Sequence, residues 1–160
     1  MTSITQEEAR DLMWEPQRYI FTGTEKKFED LITESIAEIC HGLELPPIAR
    51  VKRQQTILVG SYSIRPDIFI WHTDGTGSIL EVKLSNCEHP AAGRMSQAQA
   101  LGQLMLYGEV VTSVWGDGKF LPRLFLFDNK IYPETHMMAS RHRLPISLVE
   151  IQGSRVFIPY

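Results

Sequence analysis

A chain of 160 residues, 43% of them hydrophobic and 22% charged, is long enough for one self-sufficient core and has the balance of a soluble globular domain. Two cysteines, Cys40 and Cys87, argue against a disulfide scaffold and fit a reducing, intracellular setting, so a cytoplasmic location is expected. The net charge of −3 does not by itself favour nucleic acid. The positive charge is clumped, however, at Lys26-Lys27, Arg50 with Lys52-Arg53, Arg65 and Arg141-His142-Arg143, and a local basic rim suffices to engage phosphates.

No apolar run approaches a membrane span, and MTSITQEEARD has neither the basic nor the apolar region of a signal peptide. Residues 5–13 read as a short helix with a Thr5/Glu8 capping box, ended by Glu15-Pro16. Residues 1–21 are taken as an N-terminal extension and 22–160 as a single α/β domain. A longer helix is predicted over Thr24–Cys40, where Phe28, Leu31, Ile32, Ile36 and Ile39 recur at helical spacing. Projection at about 100° per residue puts Glu25 inside that stripe, Glu29 at its edge, and Glu34 and Glu38 facing away. Thr22-Gly-Thr-Glu25 is itself a capping box, which would use Glu25 locally.

A β-rich run, Arg50 to Val59, ends at Gly60, and Gly60-Ser61-Tyr62-Ser63 is expected to turn the chain toward Pro66-Asp67. Proline cannot donate a ladder hydrogen bond, so position 66 belongs at an edge, a bulge or the end of a sheet. A β-hairpin follows. Ile68–Trp71 and Ile79–Leu84 flank a Thr-Asp-Gly-Thr-Gly turn. Three charged residues sit in these strands: Asp67, Glu81 and Lys83. Alternation puts Glu81 and Lys83 on one face. An odd loop, such as Asp74-Gly75-Thr76 with Gly77 as a bulge, brings Asp67 onto that face; a two-residue Asp-Gly loop sends it to the other. The odd loop is the expectation here.

Residues Ser85–Met95 read as a loop and Ser96–Val111 as a helix, with Gln99, Gln103 and Tyr107 on one face. Gln97 and Gln99 place polar groups near the helix start, where a phosphate meets free N–H groups. Gly116–Lys119 is a turn, Phe120–Phe127 a buried strand, Asp128-Asn129-Lys130 a turn, and 131–143 ambiguous, with a short helix around Met137 and Met138. Leu148–Ile151 and Arg155–Ile158 form a terminal hairpin or two edge strands.

Two carboxylates beside a lysine suit a hard divalent cation. Mg²⁺ or Mn²⁺ takes carboxylate oxygens from Asp67 and Glu81, the Val82 carbonyl offers another, and Lys83 can orient or deprotonate a water and offset charge on a phosphate. An ordinary salt-bridge ladder on a solvated face is the bland alternative. A zinc site from Cys40-His41 and Cys87-Glu88-His89 lacks the spacing of a zinc module, and His72 is expected to be an exposed loop histidine.

Pro66-Asp67, thirteen residues, then Glu81-Val82-Lys83 resembles the PD-(D/E)xK nuclease superfamily. Gln103-Leu-Met-Leu-Tyr107, in the next helix, is similar to the QxxxY motif of its RecB-like branch, which includes lambda exonuclease. The resemblance covers residues 24–127 and implies an αβββαβ restriction-endonuclease-like core, a mixed β-sheet flanked by helices. It implies a Mg²⁺- or Mn²⁺-dependent nuclease acting on nucleic acid, DNA rather than RNA. Asp67, Glu81, the Val82 carbonyl and Glu25 would hold the metal, with Glu29 as the alternative helix acid. Lys83 would activate water, while Gln103 and Tyr107 position the strand. By analogy such a small domain works as a homodimer or as a subunit of a larger complex, not on a membrane. The rival readings are a catalytically inactive binding or assembly subunit and an RNA endonuclease. Two cysteines cannot ligate the iron–sulfur cluster of some RecB-like nucleases.

Overall fold

The computed structural model describes residues 23–85, 90–115, 122–152 and 155–157. The features expected at residues 1–22, Cys87–His89, Gly116–Lys119 and Gly153-Ser154 lie outside the described residues.

The predicted N-terminal helix forms as two pieces, α1 (Glu25–Glu34) and α2 (Ile36–Gly42). Ser35 interrupts them at φ −101°, ψ 13°. Just before it, the Thr33 hydroxyl donates to the Glu29 carbonyl at 2.8 Å, a back-bond that bends helices. The apolar stripe is as read at Phe28, Ile32, Ile36 and Ile39, which are buried, while Leu31 is only partly so and Glu34 and Glu38 are exposed.

The run expected to be one strand over 50–59 splits into β1 (Ile48–Arg53) and β2 (Ile57–Val59). Gln54 takes a left-handed φ of 49°, which no strand accommodates. Only Gly60-Ser61 serves as the turn, because Val59 pairs with Tyr62 and β3 (Tyr62–Ile64) returns antiparallel. Gly60 is required there: its φ is 62°, and a Cβ would lie 2.8 Å from Val114.

After these come β4 (Ile68–His72), β5 (Gly77–Val82), α3 (Pro90–Trp115), β6 (Arg123–Asp128), α4 (Pro133–Arg141), β7 (Ile146–Gln152) and β8 (Arg155–Phe157). The expected loop at 85–95 is thus shorter, since Pro90 can open a helix where its missing N–H costs nothing. The terminal hairpin is present as β7 and β8.

Six strands form a mixed sheet in the order β1-β4-β5-β6-β7-β8. The β1–β4, β4–β5 and β7–β8 pairs are antiparallel, and β5–β6 and β6–β7 are parallel. β2 and β3 make a separate two-stranded sheet.

Strand alternation sorts the core into two layers. Ile68, Ile70, Leu80, Val82, Phe125 and Phe127 pack with α1 and α2. Phe69, Ile79, Leu124 and Leu126 pack with α3, and Ile57, Val59 and Ile64 of the small sheet join them. At roughly 25 cal/mol per Å² of apolar surface, these two layers supply the main drive for folding. Their boundary carries the polar residues of interest. Glu81 and Lys83 alternate with Leu80 and Val82, so they fall on the α3 face, beyond the last core positions. Among the described residues no helix is long and apolar enough to cross a membrane.

Candidate functional site

The β4–β5 turn decides the site. The His72 N–H donates to the Thr76 carbonyl at 2.8 Å, leaving Thr73-Asp74-Gly75 as a three-residue loop. Gly75 supplies φ 84°, and the Asp74 carboxylate accepts from the Thr76 N–H and hydroxyl at 2.9 and 2.6 Å. The loop is odd, as expected, but lies one residue earlier than Asp74-Gly75-Thr76. Gly77 is not a bulge: it pairs in regular register with Trp71, because the positive φ falls on Gly75.

With Ile68 opposite Leu80, the next pair outward is Asp67 and Glu81. Asp67 donates its backbone N–H to Glu81 Oε1 at 3.3 Å. Its own carboxylate accepts from the Val82 N–H at 2.7 Å and from Gln54 Nε2 at 2.7 Å. Pro66 stands just outside β4, at the sheet's end. Glu81 is only 3% exposed. Burial first, and the charge of Asp67 second, push its carboxyl up to about 8. The protonated form of Glu81 is therefore favoured beside the Asp67 charge.

Lys83 extends the β5–β6 pairing by donating its N–H to the Phe127 carbonyl at 2.8 Å. Its half-exposed side chain is charge-coupled to Glu81 and Glu25. Tyr107 on α3 donates its hydroxyl to the Arg65 carbonyl at 3.3 Å. Its pKa is raised by burial and by the charges of Glu81 and Asp67, so the phenol belongs to this site. Gln103, one turn earlier, is exposed, and its side chain makes no hydrogen bond among the described residues.

The two helix acids differ from the projection. Thr24, not Thr22, caps α1, accepting from the Lys27 N–H at 3.3 Å, so Glu25 is the first helical residue and is exposed. Its carboxyl nevertheless leans to the sheet end, where burial raises its pKa against the opposing pull of Lys83 and the Leu84 N–H. Glu29, placed at the stripe's edge by projection, is 6% exposed. It accepts from Arg53 Nε at 2.8 Å and Gln54 Nε2 at 3.1 Å, and Arg53 also pairs with Asp30. Glu25, Lys26, Glu29, Arg53, Gln54 and Arg65 line an open cleft of about 530 Å³ beside Asp67. Among the described residues no three His, Cys, Asp or Glu side chains converge as a metal-holding group, so Glu25 does not complete a three-acid cluster with Asp67 and Glu81.

Two residues escape sequence reasoning. Gln54 bridges Glu29 and Asp67 through one amide nitrogen; nothing in its neighbourhood marks it, since its place follows from a left-handed turn after β1. Asp128, expected in a turn, ends β6 and is fully buried. It accepts from the Ser85 N–H at 2.9 Å, the Ser85 hydroxyl, Gln97 Nε2 at 2.8 Å and the Asn129 N–H at 2.7 Å. Burial still pushes it up to about 7. Gln97 is no phosphate contact. It is fully buried seven residues inside α3, accepting from Thr135 Oγ1 at 2.6 Å and the Tyr132 N–H at 3.2 Å.

His72 is likewise corrected: it is 3% exposed, sits at the end of β4, and is held by the Pro46 carbonyl at 2.8 Å and Ser78 Oγ at 2.7 Å. The carbonyl can only accept, so Nδ1 carries a proton. Cys40 is buried, and burial pushes its thiol up to about 11.

Comparison with protein-family models, with curated proteins and with solved structures finds no match.

Proposed function

We propose that this chain is a divalent-metal-dependent nuclease of the PD-(D/E)xK type, hydrolysing phosphodiester bonds of nucleic acid, with DNA the expected substrate. The observation that carries the reading is Asp67 opposite Glu81, with Lys83 two residues on along the same sheet face. The order α1, β1, β4, β5, α3, β6, with pairings antiparallel, antiparallel and parallel, supports a restriction-endonuclease-like core, with β2–β3 as an insertion.

The residues present fit Mg²⁺ or Mn²⁺. A carboxyl as buried as that of Glu81, facing the Asp67 charge, resists ionising unless a cation offsets the two charges. Asp67, Glu81 and the Val82 carbonyl would hold the ion, and Mg²⁺ is content with one or two carboxylates, the rest being water and phosphate. Bound there, it supplies Lewis-acid stabilisation of the phosphoryl oxygens and the leaving oxygen.

The chain's own groups do the remaining work. Lys83 orients the attacking water and offsets charge developing on the phosphate. Gln54 fixes the Asp67 carboxylate by hydrogen bonding Oδ1. Tyr107 borders the reacting phosphate, and Glu25 holds Lys83 electrostatically. Gln103, exposed on the same helix face, is left to contact the strand.

One observation favours the second reading, a non-cleaving binding or assembly subunit: Glu29, the buried acid of α1, is tied up by Arg53 and Gln54 and so is not free for a metal. Cleavage of DNA and RNA oligonucleotides with Mg²⁺ or Mn²⁺, beside calorimetric titration with Mn²⁺, separates the two. Lys83→Ala is expected to lower cleavage by about 10²–10³-fold while folding is kept. Full activity in that variant rejects the assigned role, and Mn²⁺ binding without cleavage of any substrate favours the subunit reading.

A further inference from the structure

The basic strand β1 is sorted by its own alternation into used and unused charge. Arg53 is neutralised by Glu29 and Asp30. Arg50 and Lys52 have no carboxylate partner among the described residues. They pair opposite Trp71 and Phe69, which puts them on the sheet face of Phe69. That is the face of Asp67, Glu81 and Lys83.

Both cations stand over one ring. The Arg50 guanidinium lies 5.5 Å and the Lys52 ammonium 6.0 Å from the Trp71 ring centroid. Trp71 is itself held against Phe69, with ring centroids 4.2 Å apart. An indole face attracts cations, so the ring keeps two like charges side by side that would otherwise spread into solvent. β1 is an outer strand, so nothing in the sheet lies beyond them. Trp71 is four residues from Asp67 along β4, about 13 Å at strand rise. Arg65, also without a carboxylate partner among the described residues, lines the cleft beside Asp67.

We propose that Arg50 and Lys52, fixed by Trp71, form a phosphate track that binds the phosphodiester backbone of the substrate away from the cleavage point. The inference rests on the nuclease reading. It adds that affinity comes from sequence-independent charge on β1, while chemistry stays with Asp67, Glu81 and Lys83. A chain of net charge −3 then meets a polyanion along one basic edge, on the sheet face opposite the one that α1 and α2 cover.

The test is binding of fluorescein-labelled single-stranded DNA and RNA of one sequence to the full chain. It is followed by anisotropy across a salt series in EDTA, which prevents cleavage. Arg50→Gln/Lys52→Gln is expected to bind at least about tenfold more weakly at low salt, with the log–log salt slope reduced by about 1.4 for two lost phosphate contacts on a single strand. Arg50→Lys/Lys52→Arg, which keeps both charges, retains the slope. With Mg²⁺, a dinucleotide too short to reach Trp71 is cleaved equally by wild type and the glutamine variant, while a long strand is cleaved less well. If the double variant loses its fold, Arg50→Gln alone must still lower the slope, by about 0.7.

Equal affinity and slope in wild type and the glutamine variant overturn the track and leave the nuclease reading standing. A wild type that neither binds nor cleaves any nucleic acid overturns both. A weaker, flatter salt response in the glutamine variant supports the track, and whether it is seen with DNA, RNA or both identifies the backbone it serves.

Discussion

Asp67 and Glu81 face one another across the last rung of the β4–β5 hairpin, the backbone N–H of one donating to the carboxylate of the other at 3.3 Å. The contact is made where β4 ends, so Asp67 Oδ2 takes the Val82 N–H that β4 no longer serves. A sheet end is thereby sealed by carboxylate oxygens, at a place open to the cleft.

The first consequence is a pH dependence of stability. The Glu81 carboxyl is raised to about 8 in the folded chain, from an unfolded value of 4.5. Its contribution is fully present below the unfolded value and is lost as pH rises to about 8, because the unfolded chain binds fewer protons in that window. Glu81→Gln keeps the shape and removes the ionisation. It is expected to flatten this loss and abolish cleavage. Urea unfolding at several pH values between those limits checks the first, and a steeper loss in the variant than in wild type contradicts it.

Divalent metal is expected to reverse the effect by taking the place of the Glu81 proton. Mn²⁺ at about a hundred times its Kd stabilises a protein that binds it only when folded by about 2.7 kcal/mol. Thermal unfolding of the wild type at alkaline pH is expected to shift upward with Mn²⁺, and that of Asp67→Asn to stay in place. A metal shift of equal size in both proteins puts the ion elsewhere.

Gln54 holds Asp67 and Glu29 together from a left-handed backbone position. Gln54→Ala loses both hydrogen bonds and keeps the backbone strain, at a cost of about 1–3 kcal/mol. Gln54→Gly relieves strain worth roughly 1–2 kcal/mol and so separates the two terms. Both are expected to cleave about tenfold more slowly, since a misplaced ligand costs rate even when the fold is kept. Steady-state cleavage beside urea unfolding reads the pair; wild-type turnover in the glycine variant removes Gln54 from the site.

Asp128 is the acceptor on which the end of β5, the start of α3 and the turn after β6 converge. Asp128→Ala removes this shared acceptor, at about 1–3 kcal/mol for each buried donor left unmatched, although Gln97 Nε2 keeps the Lys130 carbonyl and the Ser85 N–H keeps Asn129 Oδ1. Asp128→Asn is expected to cost less. It also removes the loss of stability that the wild type shows as pH rises from the ordinary aspartate range to about 7, a loss that follows from the raised folded-state value. Urea midpoints of the two variants across pH make the comparison, and an alanine variant as stable as wild type removes Asp128 from its structural role.

Local pattern alone carries a good part of this molecule. The apolar stripe Phe28–Ile39, the alternation of Glu81 and Lys83 against Leu80 and Val82, the buried strand through Leu124–Phe127 and the terminal hairpin are all legible, because their periods are set by backbone geometry within a few residues. The odd β4–β5 loop is not: Asp-Gly suits a two-residue turn as well, and the bond from the His72 N–H to the Thr76 carbonyl decides between them. Register then follows, and with it the meeting of Asp67 and Glu81.

Tertiary structure decides what no period encodes. Whether Glu25 or Glu29 is buried depends on which threonine caps α1 and on Arg53 reaching back across the chain. Gln54 joins the site because the chain turns left-handed after β1. Gln97, His72 and Asp128 leave the surface for the interior because partners from distant segments satisfy them. A buried polar group is stable only when its hydrogen bonds are met, and those partners are assigned by packing between elements, not by spacing along one.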